Sequence, residues 1–396
     1  MAYRILALDG GGTWALIQVL ALIDMYGKDA RGDAVLAEFD MAAATSGGSL
    51  VLGGLVEGLP LNDLLGYFLD ENKRRSIFSD TPNIGDRILE GLLQFGPKYS
   101  AKRKLPAIEH LIPGKGLTPM SEAAKGIRRK GSSTDVHLLV PAFSYDRERA
   151  CFFRSAPTGQ TPGWGKGAAT TNVTLAEAIH ASTNAPVMYF DGPAEFPGKP
   201  DLRFWDGAIS GCNNPVLVAV AEALSLGVTA NDIAALSIGT GTVMLPWVPD
   251  TPQPPYTQPV SGTGLVSDLK KLAGSINDDP PDAASYLAHA MTGGSVGVRA
   301  PADSRIVRLN PRISPILTDG VWGPPGNLSP AQFDYLANLH MDVLDQQDVM
   351  YVHNYAKIWI AGLAPNQPVR LDAATMTAEI GQGDYASATA AWRAIM

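Results

Sequence analysis

The run Ala44-Thr45-Ser46-Gly47-Gly48 sets a hydroxyl nucleophile among small residues. A serine at a sharp strand-to-helix turn is held in strained backbone angles, and small residues two before and two after it let strand and helix pass closely. The usual form is G-x-S-x-G. Here Ala44 occupies the first small position, one methyl group larger than glycine. Such an elbow puts the hydroxyl at a helix N-terminus, where free N–H groups and the helix dipole favour developing negative charge. A plain Ala/Gly-rich core turn has the same composition, so the run alone does not decide between them. A second run, Asp9-Gly10-Gly11-Gly12, follows an apolar stretch. Three glycines leave backbone N–H groups unobstructed and form an anion-binding nest. A nucleotide phosphate is one candidate anion, but G-x-G-x-x-G spacing and a Walker lysine are both missing. An acyl-transfer oxyanion is the other. The third run, Asp206-Gly207-Ala208 with Asn213-Asn214-Pro215 close behind, offers a carboxylate; alone, Asp-Gly is an ordinary turn pair.

Elements must hold these residues. Arg4 to Leu8 reads as a strand ending at the glycine run, and Trp14, Ile17, Leu20, Leu22 and Ile23 recur with helical spacing. Phe39 to Ala44 reads as a second strand and Ser49 to Val56 as a second helix. Strand, glycine turn and helix, twice in sixty residues, predict an α/β fold with a parallel sheet. Further along, strands are expected at Val136 to Phe143, Ala150 to Arg154, Leu202 to Trp205, Ile233 to Ile238 and Arg305 to Leu309. Helices are expected at Leu175 to Ser182 and Val216 to Leu226, with one long helix from about Pro330 to Ile360. Residues 60–130 look mainly helical and irregular. Pro246 to Gly264 carries six prolines and reads as a long loop, equally suited to a flap over the site and to an inert surface segment.

The 396 residues suffice for one large α/β domain with helical additions. The hydrophobic fraction is 45%, enough for a sizeable core, and the charged fraction of 18% is low. The low charge suits apolar substrates, and equally an interior rich in Ala and Gly. A net charge of −8 argues against a nucleic-acid partner, which needs clustered cations. Two small basic clusters, Lys98 with Lys102, Arg103 and Lys104, and then Arg128 to Lys130, read as solvated helix faces. Cys151 and Cys212 suit neither a disulfide framework nor a metal site, and a reducing compartment follows. With no signal peptide or membrane-spanning stretch legible, the expectation is a cytoplasmic protein. No metal is expected either: Asp278, Asp279 and Asp282 are interrupted by Pro280-Pro281, and no H-E-x-x-H or paired-cysteine pattern occurs.

Taken together, the three runs resemble the patatin-like phospholipase family, whose pattern is a D-G-G-G loop, a G-x-S-x-G serine and a distant D-G-G or D-G-A. Lys98-Tyr99-Ser100, Ala181-Ser182-Thr183-Asn184-Ala185-Pro186 with Tyr189-Phe190, Asn213-Asn214-Pro215, and Leu236 to Gly241 resemble its connecting segments. The resemblance spans roughly residues 3–311. It implies a three-layer α/β/α fold with a mostly parallel central sheet, in a single domain over 1–396 whose C-terminal extension (about 330–396) is helical. It also implies a Ser-Asp dyad without histidine. Ser46 would be the nucleophile and Asp206 the base, with oxyanion donors at Gly10, Gly11, Gly12 and Gly47. Phe204 and Trp205 would wall the aspartate and raise its pKa. The implied activity is calcium-independent, cofactor-free hydrolysis of lipid esters, with peripheral contact to membranes or lipid aggregates.

Two departures stand out. Where the family loop continues x-R-G, this chain has Thr13-Trp14-Ala15. Trp14 either lines an acyl pocket or packs in the core, and packing is the expected role. Ala44 is the milder departure, and neither removes a reacting atom. Two rivals remain. One is a Ser-Asp-His hydrolase, for which His289, His340 and His353 follow Asp206, each in a helix-like stretch. The other is a non-catalytic lipid-binding protein of the same fold.

Overall fold

The computed structural model describes residues 2–79, 98–155, 173–186, 189–246, 256–257, 264–296, 304–370 and 379–396. Strand β1 (Tyr3–Leu8) lies at the centre of the main sheet, flanked in parallel by β2 (Met41–Ala44) and β7 (Ile233–Ile238). Beyond β7 runs β9 (Ile306–Leu309), also parallel; beyond β2 runs β3 (His137–Ser144), parallel again. Three antiparallel strands, β4 (Arg149–Arg154), β5 (Ala194–Phe196) and β6 (Lys199–Asp206), complete it. A two-residue strand β8 (Thr242–Val243) pairs separately with β10 (Arg312–Ile313).

Period-2 alternation builds the layers. Leu6, Leu8, Ala42, Ala44, Leu138 and Val140 pack into one core, with helices α1 (Leu16–Tyr26) and α2 (Ser46–Glu57) on that face. Ile5, Ala7, Met41, Ala43 and Leu139 point the other way and meet the helix Val216–Ser225. A sheet buried on both faces needs near-continuous apolar strands, and β1, β2 and β7 supply them. The result is a three-layer α/β/α fold with a mostly parallel sheet.

The antiparallel strands have a consequence for the site. β4 pairs with β3 all along Leu139 to Ser144, so β2 and β6 must share the opposite edge of β3 in tandem. β2 lies beside His137 to Leu139 and β6 beside Ala142 to Ser144, with Asp206 opposite Ala142. The two strands therefore meet end to end, carrying residues 44 and 206 to one place.

The long helix expected from Pro330 to Ile360 is two helices, Pro330–Ala337 and Gln346–Ile360. Asp345 immediately precedes the second, and residues 338–345 leave the helical path to cross the site. The C-terminal helix Tyr385–Ile395 returns to the core, where Trp392 stacks on Phe39 with ring centroids 5.7 Å apart. Most of the proline-rich segment 246–264 lies outside the described residues. Among the described residues, no helix is long and apolar enough to cross a membrane.

Candidate active site

Ser46 has φ of +49°, one of three non-glycine residues with positive φ among those described. That strain marks a site the surroundings hold in place. The crowding is severe: a Cβ on Gly47 would come within 2.3 Å of the Gly12 carbonyl oxygen, and one on Gly48 within 2.5 Å of those of Leu8 and Asp9. The small residues of the elbow are thus required by its close approach to the glycine loop. The Ser46 N–H donates to Ser182 Oγ at 3.0 Å, and the Thr45 hydroxyl donates to the Cys212 carbonyl at 2.6 Å. Ser46 itself remains 8% exposed.

Asp206 is buried, and the Ser46 side chain is close enough to favour its ionised form. Its Oδ1 also accepts from the Ala208 N–H at 2.9 Å, and its own N–H donates to the Asn184 carbonyl at 3.0 Å. Burial pushes the Asp206 carboxyl up to about 6, against the Ala208 hydrogen bond, the nearby Ser46 side chain and the positive charge of Lys104. Phe204 is buried beside it in sequence, but Trp205, on the opposite face of the strand, is only half-buried.

The glycine loop divides its work. The Gly10 N–H donates to the Asn213 carbonyl at 2.9 Å, which removes Gly10 from the expected donor set. Its role is steric, because a Cβ there would lie 2.9 Å from that of Ser46. Among the described residues, the N–H groups of Gly11, Gly12 and Gly47 have no acceptor. Thr240 Oγ1 donates to the Gly10 carbonyl at 2.7 Å, and Arg308 binds the Asp9 carboxylate. Trp14 is buried in the core, as its packing role required, and donates its indole N–H to the His340 carbonyl at 3.0 Å.

Ser46 lines a cavity walled by Leu50, Ile77, Phe78, Phe190 and, from the C-terminal segment, Met341 and Asp342. Asp342 Oδ2 accepts from the Tyr99 hydroxyl at 2.7 Å and Lys98 Nζ at 3.1 Å. The Thr13 N–H donates to the Met341 carbonyl at 3.1 Å, and Arg74 donates twice to that of Leu344. Sequence reasoning assigned no role to Ser182, Asn184, Lys104, Arg308, Met341 or Asp342. The first two stand in a family-like segment, which was a usable signal; the others act across long sequence distances. Lys104 also corrects the reading of its basic cluster as a solvated face, since it is fully buried.

Of the three histidines that follow Asp206, His289 bonds Ser304 and the Ser295 carbonyl, and His353 is buried in the helix Gln346–Ile360. His340 is exposed in the bend between two helices, not in a helix. None bonds Ser46 or Asp206 among the described residues. No three His, Cys, Asp or Glu side chains among them cluster to hold a metal ion.

A search of curated proteins found no match. Among solved structures, the chain is similar to the crystal structure of VipD from Legionella pneumophila, with 9% identity over 90% of this chain and 67% of that one. The TM-score is 0.31, too loose a likeness to carry an argument. The family model for patatin-like phospholipase matches residues 6–220, a span holding the glycine loop, the elbow and Asp206. Since that match covers more than half of the chain, the protein belongs to the patatin-like phospholipase family, a family of lipid acyl hydrolases.

Proposed function

We propose that the protein hydrolyses carboxylic esters of lipids through an acyl-Ser46 intermediate, with Asp206 as general base. The observation that carries this reading is the strained elbow serine set beside a buried carboxylate where the ends of β2 and β6 meet. An ordinary aspartate, near 4, is a weak base; at about 6 it is stronger and still mostly ionised at neutral pH. As Ser46 Oγ attacks the ester carbonyl carbon, its proton passes to Asp206. The N–H groups of Gly11, Gly12 and Gly47 take the oxyanion. Collapse breaks the C–O bond to the alcohol, and Asp206 returns the proton to the leaving oxygen. Water then attacks the acyl-enzyme, giving its proton to Asp206; the acid departs and Ser46 regains its hydrogen.

The apolar walls of the cavity suit an acyl chain. Phospholipids, lysophospholipids and acylglycerols are the substrate class, presented at a lipid surface, with short p-nitrophenyl esters as surrogates. The whole chain acts as one domain in this reading, because Met341 and Asp342 complete the pocket. The oxyanion charge is met by N–H groups, so hydrolysis of a soluble ester persists in excess EDTA.

A fluorophosphonate probe tests the reading. Ser46→Ala abolishes labelling and hydrolysis, whereas Asp206→Asn keeps the fold and lowers turnover by about 10²- to 10⁴-fold. Labelling of a different serine sinks the site assignment. Near-normal turnover in folded Asp206→Asn points to the histidine rival, and absence of labelling in the wild type to the lipid-binding one.

A further inference from the structure

Lys104 takes no part in the chemistry above, yet it projects from the helix Ala101–Leu111 into the interior, with 0% exposure. Its two neighbours are neutral. Nζ donates to Asn184 Oδ1 at 2.8 Å and lies 4.0 Å from the centroid of the Phe190 ring. Among the described residues, no carboxylate lies within salt-bridge reach. A buried ammonium with neutral partners is a poor way to fill a core, and an apolar side chain of similar volume packs more favourably.

Both neighbours belong to the site. The Asn184 carbonyl accepts the Asp206 N–H at 3.0 Å, and its amide nitrogen is tied to the Gly192 carbonyl at 2.7 Å. Phe190 walls the cavity. We propose that Lys104 is a positioning residue for the dyad: its charge sets the base strength of Asp206, and its bond to Asn184 fixes the strand end that carries it. This rests on Asp206 being the base.

The coupling runs both ways. The ammonium favours the ionised carboxylate, and the carboxylate favours the ammonium, while burial weakens both. The other titratable group that faces Lys104 is His180, from the helix Leu175–Ser182. Burial and Lys104 itself keep that ring neutral. The Tyr99 ring lies 5.9 Å from that of Phe190, and its hydroxyl donates to the Asp342 carboxylate.

Lys104→Gln keeps a donor for Asn184 and removes the charge. In this variant the acid limb of kcat/KM on a short soluble ester moves up by about half a pH unit or more. The change falls on kcat rather than KM, and Lys104→Arg brings the limb back toward the wild type. A folded Lys104→Gln enzyme with an unmoved limb overturns the proposal. The second measurement needs no change at position 104: lysine-selective NMR follows the Lys104 amine in the wild type and in Asp206→Asn. Loss of the carboxylate lowers the pH at which Lys104 gives up its proton, and an unchanged titration overturns the proposal. Should the wild type show no limb near pH 6, the role of Asp206 as base fails, while the NMR titration still decides the coupling.

Discussion

Arg308, on β9, grips the carboxylate of Asp9 with both terminal guanidinium nitrogens, one at 2.9 Å from Oδ1, and the same nitrogen reaches Ser237 Oγ at 2.8 Å. The bond crosses β7 to reach the residue that opens the glycine loop. Both partners are buried. The pair therefore contributes fixed geometry more than net stability, because desolvation offsets most of its attraction.

Removing one member leaves the other exposed to the full desolvation penalty. Arg308→Met is expected to destabilise the protein by about 3–5 kcal/mol. Burial already raises the folded pKa of Asp9 against the pull of Arg308, and without the guanidinium it rises further, so the variant regains stability as pH falls through it. Urea unfolding at pH 5 and pH 8 measures both effects. Adding Asp9→Asn recovers much of the loss, and a double variant no better than Arg308→Met shows that the charge was not the cause.

The raised pKa of Asp206 has two consequences. In the proposed mechanism its ionised form is the base, so kcat/KM is expected to fall about tenfold per pH unit below about 6 and to level off above it. A limb near 4 instead indicates an aspartate indifferent to its burial. The same group is held in the fold above its unfolded value, so its favourable contribution is present at low pH and lost as pH rises through about 6. Asp206→Asn is therefore expected to be more stable than the wild type at pH 8, by as much as about 3 kcal/mol. The gap narrows at pH 5, and unfolding midpoints at the two pH values check it.

Trp14→Phe keeps an aromatic ring in the core and deletes the N–H that holds the His340 carbonyl. The expected cost is about 1 kcal/mol, with a KM for long-chain esters raised about 3- to 10-fold and little change on short ones. A chain-length series measures this. Equal effects on long and short esters contradict a role in holding the pocket wall.

Local signals in the sequence were strong where the element itself carries the chemistry. The strand-turn-helix units around the glycine loop and Ser46, and β7, were legible from their own residues, since tight turns demand small side chains and buried parallel strands demand apolar ones; the purpose of each turn was not settled by its own run alone. Asp206-Gly207 was ambiguous for a physical reason: its meaning depends on β6 meeting the end of β2, and register is a property of pairs of strands. Gly10 was misassigned because a free N–H cannot be told from one given to a carbonyl 203 residues away. Lys104 looked like surface because its neighbours in sequence, Lys102 and Arg103, are exposed. Nothing near Pro330 to Ile360 announced that the helix would open at residues 338–345, since those residues find partners in distant Trp14, Thr13, Lys98, Tyr99, Arg74 and Arg75.

That opened helix bears on the order of events at the ribosome. Chains emerge N-terminus first, and early segments begin to fold before later ones exist. The glycine loop, the elbow and Asp206 are all made before residue 207, yet Met341 and Asp342 still have to arrive before the pocket has its last wall. Trp14 waits 326 residues for the carbonyl it will hold. A nascent chain that already carries Ser46 and Asp206 thus lacks an enclosed place for an acyl chain until residues 341 and 342 have been made.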